Sequence, residues 1–81
     1  MEKPIGTITH YFSKVNVAVV KIAETVRVGD SIAIRGATTD FTQTVESMEV
    51  DHVPVQEAKK GQEIGMKVLK RVREGDNVFA A

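Results

Sequence analysis

His10 and His52 are the only imidazoles in an 81-residue chain that has no cysteine, so any histidine-based nucleophilic, acid–base or zinc chemistry would have to run through them. A nucleophilic site needs a hydroxyl or thiol beside a base that is itself oriented. Neither histidine has a companion at metal-ligand spacing. Asp51 and His52 are adjacent, but neighbours on a strand point to opposite faces and cannot act as a carboxylate–imidazole couple there. Both rings are expected at outward or rim positions. The G-x-x-x-x-G-K-[ST] phosphate loop and the dinucleotide glycine fingerprint are absent. The sequence therefore points away from an enzyme, and no metal, cofactor or nucleotide is expected. Gly29-Asp30 and Gly75-Asp76 read as turns, glycine supplying positive φ and aspartate bonding the turn backbone. Calcium would need several carboxylates converging on one ion.

Binding chemistry is better represented. Nucleic-acid recognition by a β surface combines cations for phosphates with aromatic faces for stacking. Tyr11 and Phe41 have polar or charged neighbours and are expected to be exposed, whereas Phe12 and Phe79, at strand ends, are expected in the core. Lys67, Lys70, Arg71 and Arg73 are the cations such a site would use, Lys67 and Arg71 sharing an outer strand face. The plain alternative is a solvated strand face. Charge is uneven along the chain: residues 36–58 hold five acids and no Lys or Arg, and residues 59–73 hold six bases against Glu63 alone. The acidic middle segment is a second possible surface, suited to a protein partner.

These residues must be positioned by strands, because period-2 patterning dominates and no window has the three-and-four spacing of an amphipathic helix. Ile5–Phe12 and Val15–Ile22 make the first hairpin, and the second of these is apolar on both faces, as in a central strand partly covered outside. Ile32 and Ile34 alternate on the strand after Gly29-Asp30. Over Phe41–Val50, Val45 and Met48 are three apart, so a bulge near Glu46 or Ser47 is needed to turn both inward. Val53-Pro54-Val55 is a short extended piece, Lys59–Gln62 a turn, and Ile64–Val72 a strand with Ile64, Met66 and Val68 inward. A turn at Gly75-Asp76 precedes Val78-Phe79. Six or seven strands in so short a chain predict a closed barrel or compact sandwich.

The length allows one domain, spanning 1–81, with the barrel at about residues 5–79. Apolar residues form 42% and charged residues 27% of the chain, so the whole of it is expected to fold. Net charge is formally zero. The lack of cysteine favours the cytoplasm. Met1-Glu2-Lys3-Pro4 lacks the apolar run of a secretory leader, and the apolar stretch Val17–Val20 is too short for a membrane span.

The order Val26-x-Val28-Gly29-Asp30-x-Ile32-x-Ile34, Val45-x-Ser47-Met48, Ala58-x-x-Gly61-x-x-Ile64-Gly65-Met66-x-Val68 and Val72-x-x-Gly75-Asp76-x-Val78 resembles domain 2 of the translational GTPases, the group of elongation factor Tu and initiation factor 2. The resemblance runs from Gly6 to Phe79 and implies a six-stranded Greek-key closed β-barrel without the family's GTPase domain. It also implies a stand-alone RNA- or ribosome-associated module whose partners are tRNA or ribosomal RNA. Similar barrels end the collagenase-like peptidases, and His10-Tyr11-Phe12, Thr39-Asp40-Phe41-Thr42-Gln43 and Arg71-Val72-Arg73-Glu74-Gly75-Asp76 look closest to that branch. That branch implies the alternative, a protein-interaction module acting in trans with a larger enzyme such as a collagenase-like peptidase.

Overall fold

Ten strands form, all in antiparallel ladders, in the computed structural model, which describes residues 3–81. The sequence reading of Met1 and Glu2 lies outside the described residues. The strands are β1 (Gly6–Phe12), β2 (Val17–Ile22), β3 (Val26–Arg27), β4 (Ser31–Arg35), β5 (Asp40–Thr44), β6 (Met48–Val50), β7 (Val53–Val55), β8 (Glu57–Ala58), β9 (Glu63–Lys67) and β10 (Asn77–Ala80). Eight of them make one sheet in the order β5-β4-β10-β1-β2-β9-β6-β7, while β3 and β8 pair separately. No helix occurs among the described residues, so none could cross a membrane. The all-β expectation holds.

The sheet curls because it has no second large layer to pack against: one apolar face can leave water only by closing on itself. Ile8, Val20, Ile22, Ile32, Ile34, Ile64, Met66 and Val78 alternate inward along the strands and are buried in one cluster. Val45, Val68 and Val72, from the segments between strands, complete it. Turn chemistry repeats three times. At Arg27–Asp30, Lys59–Gln62 and Arg73–Asp76 the third residue is a glycine with φ of 98°, 89° and 91°. In each, the side-chain oxygen of the fourth residue accepts the N–H of the first, at 2.9, 2.7 and 2.9 Å. Only glycine takes that backbone without strain. The two Gly-Asp pairs are thus turns, and both aspartates are engaged with backbone.

Three expectations change. The main sheet has eight strands rather than six, and no ladder joins its edge strands β5 and β7 among the described residues. Gln43 of β5, only 6% exposed, instead ties that edge to the end of β9. Its Nε2 donates to the Lys67 carbonyl at 3.0 Å, and the Leu69 N–H donates to its Oε1 at 2.9 Å. Val45 and Met48 are both buried without a bulge, because residues 45–47 separate two strands, β5 on β4 and β6 on β7 and β9. The expected strand Ile64–Val72 stops at Lys67. Its partner β2 begins at Val17, the residue opposite Lys67, and beyond that point Val68 N–H turns to the Asn16 carbonyl at 2.9 Å.

Candidate binding surface

A bulge in β1 decides which side chains reach the outside. The β1–β2 register runs Gly6↔Ile22, Thr7↔Lys21, Ile8↔Val20 and then His10↔Val19, leaving Thr9 unpaired. Unbroken alternation from buried Ile8 would send His10 and Phe12 inward and Tyr11 outward; the extra residue inverts this. Tyr11 therefore packs against the core opposite Ala18 and donates its hydroxyl to Asn16 Oδ1 at 3.1 Å. Phe12 is 48% exposed. The expectation that Tyr11 is exposed and Phe12 buried is corrected.

Phe12 stands opposite Val17, and His10 opposite Val19, on the outer face of β2. Across the next ladder Val19 faces Gly65 and Val17 faces Lys67, and Gly65 in turn faces Glu49 on β6. Phe12, Val17, Val19, Gly65 and Glu49, together with Val15, 61% exposed in the β1–β2 turn, line an outward depression of about 550 Å³. Gly65 is its floor. A Cβ there would sit 3.4 Å from Val17 Cγ1 and 4.0 Å from the Glu49 carbonyl, an ordinary fit. Glycine is therefore not demanded by backbone geometry, and its consequence is the hollow.

Polar groups ring this floor. His10 Nδ1 lies 3.2 Å from Glu74 Oε1, and its ring meets Phe12 edge-on with centroids 4.5 Å apart. Asp51 and His52, with φ of 50° and 65°, are the two central residues of the β6–β7 hairpin. Positive φ at both is the shape of a type I′ turn, which fixes them at the rim. They are a turn tip rather than strand neighbours. Among the described residues, the side chains of Glu49, Asp51, His52 and Glu63 have no hydrogen bond or ion pair. Both histidines are exposed, as expected, and no three His, Asp or Glu residues are grouped to hold a metal ion among the described residues.

The residues read from sequence as a nucleic-acid or partner site do not share one face. Lys67 points outward opposite Val17, at the edge of the depression. Lys70 Nζ sits 5.9 Å from the centre of the Phe41 ring, the one cation–aromatic pair the structure makes from that set. Phe41 is itself packed against the core, opposite Ile34. Arg71 and Arg73 are exposed on the irregular segment after β9, so Arg71 shares no strand face with Lys67. Phe79, expected in the core, lies outside against Ala33 with the Arg35 guanidinium 5.7 Å from its centroid. Sequence reasoning missed Phe12, Val15, Val17, Val19 and Gly65. The valines on both faces of β2 were the available signal, and the bulge at Thr9 hid the rest.

No family model matches the chain. It is 40% identical over 76 residues to an uncharacterized protease of Methanocaldococcus jannaschii, covering 93% of this chain and 19% of that protein. It is 35% identical over 77 residues to a collagenase of Porphyromonas gingivalis, covering 93% of this chain and 21% of that one. The chain thus spans about one fifth of the length of these curated relatives. Two crystal structures of the C-terminal domain of a Geobacillus thermoleovorans protein assigned to the U32 peptidases have the same fold. Their TM-scores are 0.90 and 0.91 at 20% identity, covering 95% and 99% of this chain and 98% and 92% of theirs. The chain is similar to the C-terminal domain of a U32 peptidase. These likenesses support the collagenase-like branch of the sequence resemblance and give no support to the elongation factor Tu branch.

Proposed function

We propose that this chain is a non-catalytic accessory module that docks in trans onto a larger enzyme of the collagenase-like peptidase kind. The observation that carries this is the bare outer face of β1, β2 and β9, where Phe12, Val15, Val17 and Val19 stand exposed or half-exposed. Clustered apolar side chains left in water mark interaction surfaces. The proteases it resembles contain a stretch similar to this chain beside about four fifths of other sequence, which gives the module a natural counterpart. His10 is held to Glu74 on one surface and His52 sits at a hairpin tip, an arrangement that favours binding over acid–base chemistry.

An RNA-associated role asks for exposed rings beside cations. Tyr11 is turned inward, which leaves Phe41 with Lys70 to carry it. The finer architecture belongs to the same proposal: the curled sheet works as a Greek-key barrel in which Gln43 ties edge strand β5 to the end of β9 where no ladder runs. Gln43→Ala would orphan the Leu69 N–H and Lys67 carbonyl, and should cost about 2 kcal/mol, with faster hydrogen exchange at Leu69.

The docking reading is tested by a pull-down from lysate of the source cells, with and without nuclease, followed by mass spectrometry. Recovery of a collagenase-like peptidase in both arms is the expected result. Recovery of RNA and ribosomal proteins alone, lost on nuclease treatment, would overturn it. A titration with tRNA at low salt gives an independent check, since phosphate contacts strengthen as salt falls.

A further inference from the structure

We infer that the depression over Gly65 is the seat of a short apolar segment flanked by lysine or arginine. That the segment belongs to a collagenase-like peptidase partner rests on the docking reading above. The chemistry of the occupant does not.

The floor offers no hydrogen-bonding groups that would orient a small polar ligand. Val19 is paired to His10 on one side and to Gly65 on the other, and Gly65 is paired onward to Glu49, so this part of the sheet lies within its ladders. What faces outward is aliphatic and aromatic surface around a missing side chain. An inserted Leu, Val or Phe would reach the sheet at Gly65 and touch Val17, Val19 and Phe12. Small-molecule sites of this size carry a few convergent polar groups inside; here the polar groups stand around the edge.

The edge chooses the sign of the partner. Three carboxylates, Glu49, Asp51 and Glu63, line the depression with the single imidazole of His52, and none of the four makes an ion pair among the described residues. Facing cations are Lys67, opposite Val17, and Lys21, opposite Glu63. None stands at the β6–β7 side, since residues 36–58 contain no Lys or Arg. The rim is therefore acidic, most strongly at Glu49 and Asp51. A nucleic acid would be repelled there. A second copy docking face to face would set acidic rim against acidic rim, which like-charge repulsion disfavours. A segment with apolar side chains between basic ones satisfies floor and rim together.

The test uses the 81-residue chain and three fluorescein-labelled synthetic peptides of about ten residues. They share a Leu-Val-Phe centre and differ in flanks of lysine, serine or glutamate. Anisotropy should show the lysine-flanked peptide binding at least about tenfold tighter than the glutamate-flanked one, with affinity falling as salt rises. Amide shifts in ¹⁵N spectra should centre on Val17, Val19 and Gly65. Glu49→Lys with Asp51→Lys should reverse the preference, and Gly65→Val should abolish binding by either peptide while the rest of the spectrum shows an intact fold. Equal affinity for lysine and glutamate flanks, absence of binding by all three, or shifts centred on residues 69–73 would each overturn the inference. Charge-selective peptide binding without recovery of a peptidase from lysate upholds this site and removes the docking reading. Recovery of a peptidase that the Gly65→Val and charge-reversed variants capture equally well does the reverse.

Discussion

The curled sheet has two outer faces that began with the same problem and resolved it differently. Over β4 and β10, Phe79 lies on Ala33, which is 2% exposed, and the Arg35 guanidinium covers the ring at 5.7 Å. Over β1, β2 and β9, Phe12 lies beside Val17, still 48% exposed, with an edge contact from His10. Both faces carry an aromatic on a strand, so an outward aromatic is not itself a sign of binding. The difference is the cover. A long cationic side chain can shield apolar surface while keeping its charge in water, and the open face has a glycine at the corresponding centre.

The strongest way to break the comparison is to disturb the anchor of the covered face. A Cβ at Gly36, the residue after β4, would run into the Asp76 carboxylate just before β10. Asp76 is 5% exposed and its Oδ2 accepts the Arg73 N–H at 2.9 Å, so it has little room to retreat. Gly36→Ala should therefore destabilise the fold by about 3 kcal/mol through overpacking and loss of that turn bond. Urea unfolding reads this directly, and a loss below about 1 kcal/mol would show that the Asp76 turn is free to shift.

Next in size is the pair that defines the contrast. Phe79→Ala should cost about 2 kcal/mol, less than a fully buried phenylalanine because the ring is only partly buried. Phe12→Ala should cost about 0.5 kcal/mol, because most of what it removes is already in contact with water. Equal costs would mean that the two faces are both structural. Arg35→Gln is expected to cost about 1 kcal/mol or less, the scale of an exposed cation–π contact together with the 3.8 Å Arg35–Asp40 pair. In a Phe79→Ala background the cation–π part of that cost should disappear.

How far this contrast could be read from sequence depends on the range of the physics behind each part. The three turns were legible at Gly29-Asp30, Gly75-Asp76 and Lys59–Gln62 because glycine's positive φ and the capping side chain act within four residues. The inward sets Ile32/Ile34 and Ile64/Met66 were legible because alternation is local. The end of β9 was not, since it is set by where β2 begins, some fifty residues earlier in the chain. The bulge at Thr9 carries no glycine or proline to announce it, and it exchanges the places of Tyr11 and Phe12. That one unpaired residue removes Tyr11 from the set chosen from sequence; Lys70, Arg71 and Arg73 part from Lys67 because β9 ends there, and Phe41 packs against the core. The valine-rich β2, apolar on both sides, was the visible trace of the open face, but its pairing with Gly65 required the register.

An effect as small as that of Phe12→Ala, but opposite in sign, separates structure from binding most cleanly. Gly65 has no positive φ, and a Cβ there meets Val17 and the Glu49 carbonyl at ordinary distances. Gly65→Ala should therefore fold normally and gain about 0.5 kcal/mol, because glycine loses more backbone freedom on folding than alanine does. The same methyl raises the floor of the depression and weakens whatever side chain enters it. A variant that is slightly more stable yet binds the lysine-flanked peptide less well would show that the glycine is kept for the hollow. If stability falls instead, the β2–β9 ladder needs glycine for close approach, and the open face would then be explained by packing.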